Sequence, residues 1–230
     1  RTRDWLSAET WRKLNQAAEK FLSSKISRWD DLADVITLLS ELQFDLASVS
    51  GLIQNGMIRG PSWRFLELGR RLERARNLGA LIRSTMLEPE APGREVLRAV
   101  IEILDCRMTY RARYLDNIQP NAVFDLAITD ETNPNSIGFQ LAELAPHVDA
   151  LPQDADHPLR TEEKRLVMGA VHLVRMLTPE ALAEPERDVI RSMLTDLEGR
   201  LRALGDVLNR RYLVHASGPR QLLGDDGGEP

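Results

Sequence analysis

The run Gly60-Pro61-Ser62-Trp63-Arg64-Phe65-Leu66-Glu67-Leu68-Gly69-Arg70-Arg71-Leu72-Glu73-Arg74-Ala75 constrains this chain more than any other. Stepped at about 100° per residue, it gathers Phe65, Leu68, Leu72, Ala75, Gly79 and Ile82 on one side of a helix. Trp63, Leu66, Leu78 and Leu81 fall roughly opposite, so the second side is no ordinary solvated face. A helix apolar nearly all round belongs at the centre of its domain. Charges on such a helix are either paired or held for a ligand, because an uncompensated buried charge is costly. Arg70, Arg74 and Glu67 share the second side, and Glu73 sits on a flank beside Gly69.

Two readings of these charges stand side by side. In the first, they form a buried salt-bridge lattice: Glu67 reaches Arg70 and Arg71 at spacings of three and four, and Arg70 reaches Glu73. In the second, Arg70 and Arg74 grip a carboxylate or phosphate through their planar forks, with Trp63 and Leu66 holding the apolar remainder. Glu73 then orients one guanidinium, and is expected to be enclosed and paired with arginine. A third possibility makes Glu73 a general base in a catalytic pocket with Arg70 and Arg74. Arg59 and Arg64, just before this stretch, are further binding candidates.

The rest of the chain is also read as helix. Ser7 caps a first helix to about Phe21, with Trp11, Leu14, Ala18 and Phe21 or Leu22 at helical spacing. Trp29-Asp30-Asp31 opens a second, whose stripe is Leu32, Val35, Ile36, Leu39, Leu42, Leu46 and Val49, with Gly51 at its end or a break. Gly60-Pro61 turns into the motif helix, which runs to about Met86. After a connector around Pro89 to Gly93, one helix spans Arg94 to Asn117, with Val96, Val100, Ile103 or Leu104, and Met108 inward. A short helical piece follows at Ala122–Ile128. Asn133-Pro134 starts the next helix, which Pro146 ends. Residues 152–160 form a connector, Thr161 caps a helix to Met176, and Pro179 begins a short turn. Pro185 opens the last helix, with Val189, Ile190, Met193, Leu197, Leu201, Leu204 and Leu208 in line. Residues 216–230 lack periodicity and are expected to be a disordered tail. The expected fold is all-α, a helical bundle of roughly seven to nine helices around a central motif helix, filling residues 1–215 as one domain.

Composition narrows the function classes. The 230 residues carry a net charge of −5, which opposes non-specific nucleic-acid binding. The single cysteine, Cys106, rules out an internal disulfide framework and reads as a small buried hydrophobe. No stretch approaches the roughly 20 apolar residues of a membrane span, and without a signal peptide the cytoplasm is the default compartment. His147, His157, His172 and His215 show no metal-ligand spacing. Neither a nucleophile elbow nor a phosphate loop is present, so no catalytic residue, metal or cofactor is assigned. A polar loop of Asp125, Asp130, Glu131, Asn133 and Asn135 is read two ways. Asn133, with Asp130, caps the following helix, or the oxygens hold a hard cation. Asp125 is also placed to pair with Arg111 or Arg113.

The motif stretch, with its Glu73-Arg74 pair, resembles the signature of the bacterial alpha-E domain family. Leu6-Ser7-Ala8-Glu9-Thr10-Trp11, Ser50-Gly51-Leu52, Met57-Ile58-Arg59-Gly60-Pro61, Asp130-Glu131-Thr132-Asn133-Pro134-Asn135-Ser136-Ile137 and Phe139-Gln140-Leu141 resemble further family segments in order. The resemblance implies neighbours that are circularly permuted ATP-grasp ligase domains, in the same or a separate chain, and transglutaminase-like proteins. It thus implies an accessory or interaction role in peptide ligation or modification. Family members open with an earlier helix carrying a related Arg-and-Glu segment, so the chain is expected to be the later part of a longer polypeptide.

Overall fold

The computed structural model describes residues 6–23, 32–88, 92–115, 117–152, 160–182 and 187–213. Among them there are ten α-helical segments and no strand. The start expected at Trp29-Asp30-Asp31, Pro185, His157, His215 and the tail at 216–230 lie outside the described residues, as do most of the connectors around Pro89 and at 152–160. The chain divides into two compact units, Arg1–Leu66 and Glu67–Pro230.

In the first unit, α1 (Ala8–Leu22) starts where Ser7 accepts the Thr10 N–H at 3.1 Å, satisfying one of the free amides of a helix start. It packs antiparallel on α2 (Leu32–Gly56), because Lys13 meets Asp45 at 2.7 Å while Lys20 meets Glu41 at 3.1 Å. Gly51 neither ends nor breaks α2, which continues to Gly56. The expected stripe of α2 is corrected: the buried residues are Leu38 and Val49, while Leu32, Ile36, Leu39 and Leu46 are exposed. The apolar arc is wider than the strip that α1 covers, so periodicity alone does not select the buried side. Length and apolar composition also make α2 long enough to cross a membrane, contrary to the expectation that no stretch comes close.

The motif helix α3 (Pro61–Ile82) begins on proline, as Gly60-Pro61 implied. Within the second unit it buries Glu67, Leu68, Leu72, Ala75 and Ile82, then ends in a π-helical turn, Arg83–Leu87, that buries Met86 and Leu87. The single helix expected from Arg94 to Asn117 is two: α4 (Arg94–Ile103) and α5 (Arg107–Tyr114). Asp105 breaks it with φ of 48° and Leu115 ends α5 with φ of 62°, a backbone region that non-glycine residues enter at a cost. On α4 the expected Val100 and Leu104 are buried, together with Leu97 and Ile101, and Ile103 is exposed; beyond the break the face changes, so Met108 is exposed and Tyr110 is buried instead.

Short α6 (Pro120–Phe124) runs into a second π-helical turn, Asp125–Thr129. The next helix, α7 (Ile137–Asp149), starts later than Asn133-Pro134 suggested, with Ser136 as its cap accepting the Phe139 N–H at 2.9 Å. Pro146 lies inside α7 rather than ending it. Gly138 is required there: a Cβ would come within 2.9 Å of the Thr129 carbonyl oxygen. Then come α8 (Glu162–Arg175), four-residue α9 (Pro179–Leu182) and α10 (Arg187–Leu208), which closes in a third π-helical turn, Asn209–Leu213. α8 packs on both α7 and α10. Along α10, Ile190, Met193, Leu194, Leu197, Leu201, Leu204, Val207 and Leu208 are buried, the expected face apart from Val189, which is exposed.

Candidate functional site

The motif helix centres on a carboxylate, and it is Glu67 rather than Glu73. Glu67 is 1% exposed; its Oε1 accepts Arg70 at 2.7 Å and its Oε2 lies 3.4 Å from Arg71. The spacing of three and four residues turns both guanidiniums onto the same carboxylate. Glu73 is 63% exposed on its side chain and pairs with Arg76 at 3.1 Å. The expectation that Glu73 is enclosed and orients Arg70 or Arg74 is therefore corrected: its flank of the helix faces solvent.

Arg71, which the sequence reading used only as a partner of Glu67, joins this hub to α7. It donates to the buried Gln140 Oε1 at 3.2 Å, lies 3.7 Å from Glu143, and stacks its guanidinium 5.4 Å from the Phe139 ring. Gln140 in turn donates to the Pro134 carbonyl. Glu67, Arg71, Gln140 and Pro134 thus form one polar chain from the motif helix to the loop before α7. A buried glutamine carries no sequence signal that distinguishes it from a surface one.

Arg74 is the residue left over. It is exposed, and among the described residues it makes no ion pair or side-chain hydrogen bond. Its pKa is pulled below the ordinary arginine value by partial desolvation first, then by the charges of Arg70 and Arg71, with Glu67 opposing. Three guanidiniums therefore crowd one buried carboxylate. Arg59 is engaged within the first unit, donating to Gln54 Oε1 at 3.3 Å and lying 4.5 Å over the Trp63 ring; Arg64 is half-buried in that unit.

The polar loop is latched by its own hydrogen bonds. Asp125 does not pair with Arg111 or Arg113; it accepts the hydroxyls of Tyr114 and Thr129. Tyr114's hydroxyl is pushed up to about 12, by burial first and then by Asp125. Arg113 instead donates to Asp130 at 2.7 Å, and Thr132 donates its N–H and hydroxyl to the other Asp130 oxygen at 2.8 and 2.6 Å. Burial works to raise the Asp130 carboxyl, but Thr132 and Arg113 outweigh it and hold the pKa low. Asn133 caps nothing; it accepts the Asn135 N–H at 3.0 Å and donates to the Leu126 carbonyl at 2.9 Å. Glu131 takes a two-pronged grip from Arg175 at 2.6 and 2.9 Å. These oxygens are committed to protein donors, and no group of three metal-ligating side chains gathers among the described residues.

A second buried acid escaped the sequence reading. Glu163, 1% exposed on its side chain, accepts the Tyr212 hydroxyl at 2.7 Å and lies 3.4 Å from Arg211, tying the start of α8 to the turn after α10. Cys106 is buried, and its thiol is raised to about 11, mainly by that burial.

Residues 1–213 match the sequence profile of the alpha-E family, described as a predicted alpha-helical domain with a conserved ER motif. Uncharacterised proteins of Mycobacterium bovis and Mycobacterium tuberculosis are 27% identical over 234 residues, covering 97% of this chain and 26% of theirs. The chain thus spans about a quarter of the length of these curated relatives. No solved structure matches it.

Proposed function

This chain belongs to the alpha-E family, and from that premise we propose that it is a helical recognition domain gripping an anionic substrate or partner through Arg70 and Arg74. The partner we assign is an ATP-grasp-type peptide ligase, with a transglutaminase-like protein as a further member of the same system. The observation that carries the reading is the surplus of positive charge on α3. Glu67 serves Arg70 and Arg71, Arg71 is also tied to Gln140, and Arg74 has no acid of its own. A carboxylate or phosphate between Arg70 and Arg74 relieves the repulsion and uses the bidentate geometry of the guanidinium. Support for the ligase is the likeness of several ordered segments to proteins that stand beside or within ATP-grasp polypeptides. The greater length of the mycobacterial relatives agrees with it.

Glu73 as a general base has no observation in its favour, since its carboxylate is open to solvent and paired with Arg76. Arg70→Lys and Arg74→Lys keep the charge and lose the fork. Binding to the purified ligase is expected to fall while the thermal melt stays unchanged. Unchanged binding would refute the proposal, and a proportional loss of stability and binding would make the arginines structural.

A further inference from the structure

We propose that the groove between α3 and α10 is a second binding site, for a zwitterionic amino acid with an aliphatic side chain. Its carboxylate would lie against Arg83, its ammonium against Glu88, and its side chain over Ala75, Gly79, Leu197 and Leu201. The groove exists because α3 turns small residues, Ala75 and Gly79, toward the leucines of α10. Leu194, Leu197 and Leu201 are buried and make its apolar floor. Arg191 of α10 donates to the Leu87 carbonyl at 2.8 Å, clasping the π-helical turn after α3 and fixing one end of the groove. The cavity measures about 320 Å³, within the range of small-molecule pockets. Gly79 stands about 140° around the helix from Arg74, so this site is separate from the grip assigned to Arg70 and Arg74.

Two charged groups on this groove have bonding capacity left over. Arg83 donates to Glu198 at 3.3 Å, and its Nε is enclosed with no hydrogen-bond partner among the described residues. A guanidinium carries five N–H donors, and an enclosed donor without an acceptor is costly. The Glu88 carboxylate makes no ion pair or side-chain hydrogen bond among the described residues. The π-helical turn stacks the two residues, since the Glu88 N–H bonds back to the Arg83 carbonyl at 2.9 Å, yet their side chains do not pair. Glu198 does not depend on Arg83, because Arg202 holds it at 2.9 Å, so Arg83 can turn to a ligand without stranding an acid. Arg76, the other cation of the lining, is paired with Glu73. An underused cation and an unpaired anion one turn apart match a molecule that carries both charges on neighbouring atoms, and the leucine floor selects an aliphatic body.

Calorimetric titration of the full chain with L-leucine, with isoamylamine, which lacks the carboxylate, and with isocaproate, which lacks the ammonium, tests this. Leucine is expected to bind saturably, and each single-charge analogue to bind about tenfold more weakly. Glu88→Gln is expected to bring leucine down to the affinity of isocaproate and to leave isocaproate itself as it was. Its thermal melt is expected to be unchanged, because that side chain is exposed. Ala80→Trp, which fills the groove from an exposed position on its rim, is expected to weaken all three ligands. Absence of saturable leucine binding overturns the proposal, as does wild-type affinity in Glu88→Gln. Equal affinity for leucine and isocaproate also overturns it, since the acid then contributes nothing. Arg74→Lys is expected to leave leucine binding as it was; if it abolishes that binding and Glu88→Gln does not, the ligand sits at the arginines on the far side of α3 and this groove is not its site.

Discussion

Replacing Glu67 with alanine tests the claim that the motif helix is organised around one enclosed carboxylate. The substitution removes the acceptor for Arg70 at 2.7 Å and the counter-charge for Arg71 at 3.4 Å. Stranding a fully buried partner costs about 3–5 kcal/mol. Here the two guanidiniums are 29% and 16% exposed, so water recovers part of that loss, and about 2–4 kcal/mol is expected. Glu73→Ala is the internal control on the same helix. With 63% and 40% exposure of its two partners, the Glu73–Arg76 pair is a surface contact worth under about 1 kcal/mol. The assay has to separate the two units. All four tryptophans, Trp5, Trp11, Trp29 and Trp63, lie in the first unit, and all three tyrosines, Tyr110, Tyr114 and Tyr212, lie in the second. Urea unfolding followed by tyrosine near-ultraviolet dichroism therefore reports the unit that contains Glu67. Tryptophan fluorescence reports the other, and a single transition with both probes licenses one free energy. If Glu67→Ala and Glu73→Ala cost the same small amount, the buried hub does not exist and the division of labour among the three arginines falls with it.

Gly138→Ala should destabilise by about 1–3 kcal/mol in the same melts, because its Cβ meets backbone oxygen that cannot step aside. Gly51→Ala, in open space within α2, should stabilise by about 0.5–1 kcal/mol. Tyr114's raised pKa means the folded state holds a proton that the unfolded state releases. The stability it contributes is intact below about pH 10 and lost as pH rises through about 12; Tyr114→Phe should flatten that alkaline limb of the pH–stability curve. Asp130's lowered pKa has the opposite sign: its contribution is present above the ordinary carboxylate value and lost as pH falls through the folded one. Asp130→Asn should accordingly flatten the acid limb.

Helical periodicity was enough to find the elements, and along α10 it also named the buried face almost residue for residue. Three things were not legible. The break at Asp105 has no glycine or proline to announce it, because an aspartate carries the positive φ that one would expect of a glycine. On α3 the helical wheel put Glu67 beside Arg70 and Arg74, yet the inward direction depends on which neighbour packs there, and that choice buried Glu67 and exposed Glu73. In the loop before α7, Asn133-Pro134 looked like the cap, but Ser136 two residues on holds the helix start while Asn133 braces the Leu126 carbonyl. Side chains with several possible partners are decided by tertiary geometry, which spacing does not encode.

The long apolar helix α2 shows why length and composition are a weak guide to environment. Its acidic side is already engaged: Asp45 holds Lys13 at 2.7 Å and Glu41 holds Lys20 at 3.1 Å. The Asp45 carboxyl is kept below its ordinary value, chiefly by the Lys13 hydrogen bond. Entry of α2 into hydrocarbon would have to strip these ions from α1 or carry α1's charges along, and both are opposed by the cost of charge in the bilayer. The residues along one face of α2, exposed from Leu32 to Leu46 and half-buried at Ser50 and Ile53, tell the same story by their order. Leu32, Ile36, Leu39, Gln43, Leu46, Ser50 and Ile53 repeat at alternating spacings of four and three, the period of a seam between packed helices. Gln43 and Ser50 interrupt it with polar groups, as a register-setting residue does in such a seam. A lipid-facing helix is apolar all round, whereas α2 has an acidic edge bound to α1 and one uncharged stripe beside it. Its geometry is that of a helix built to pack against other helices.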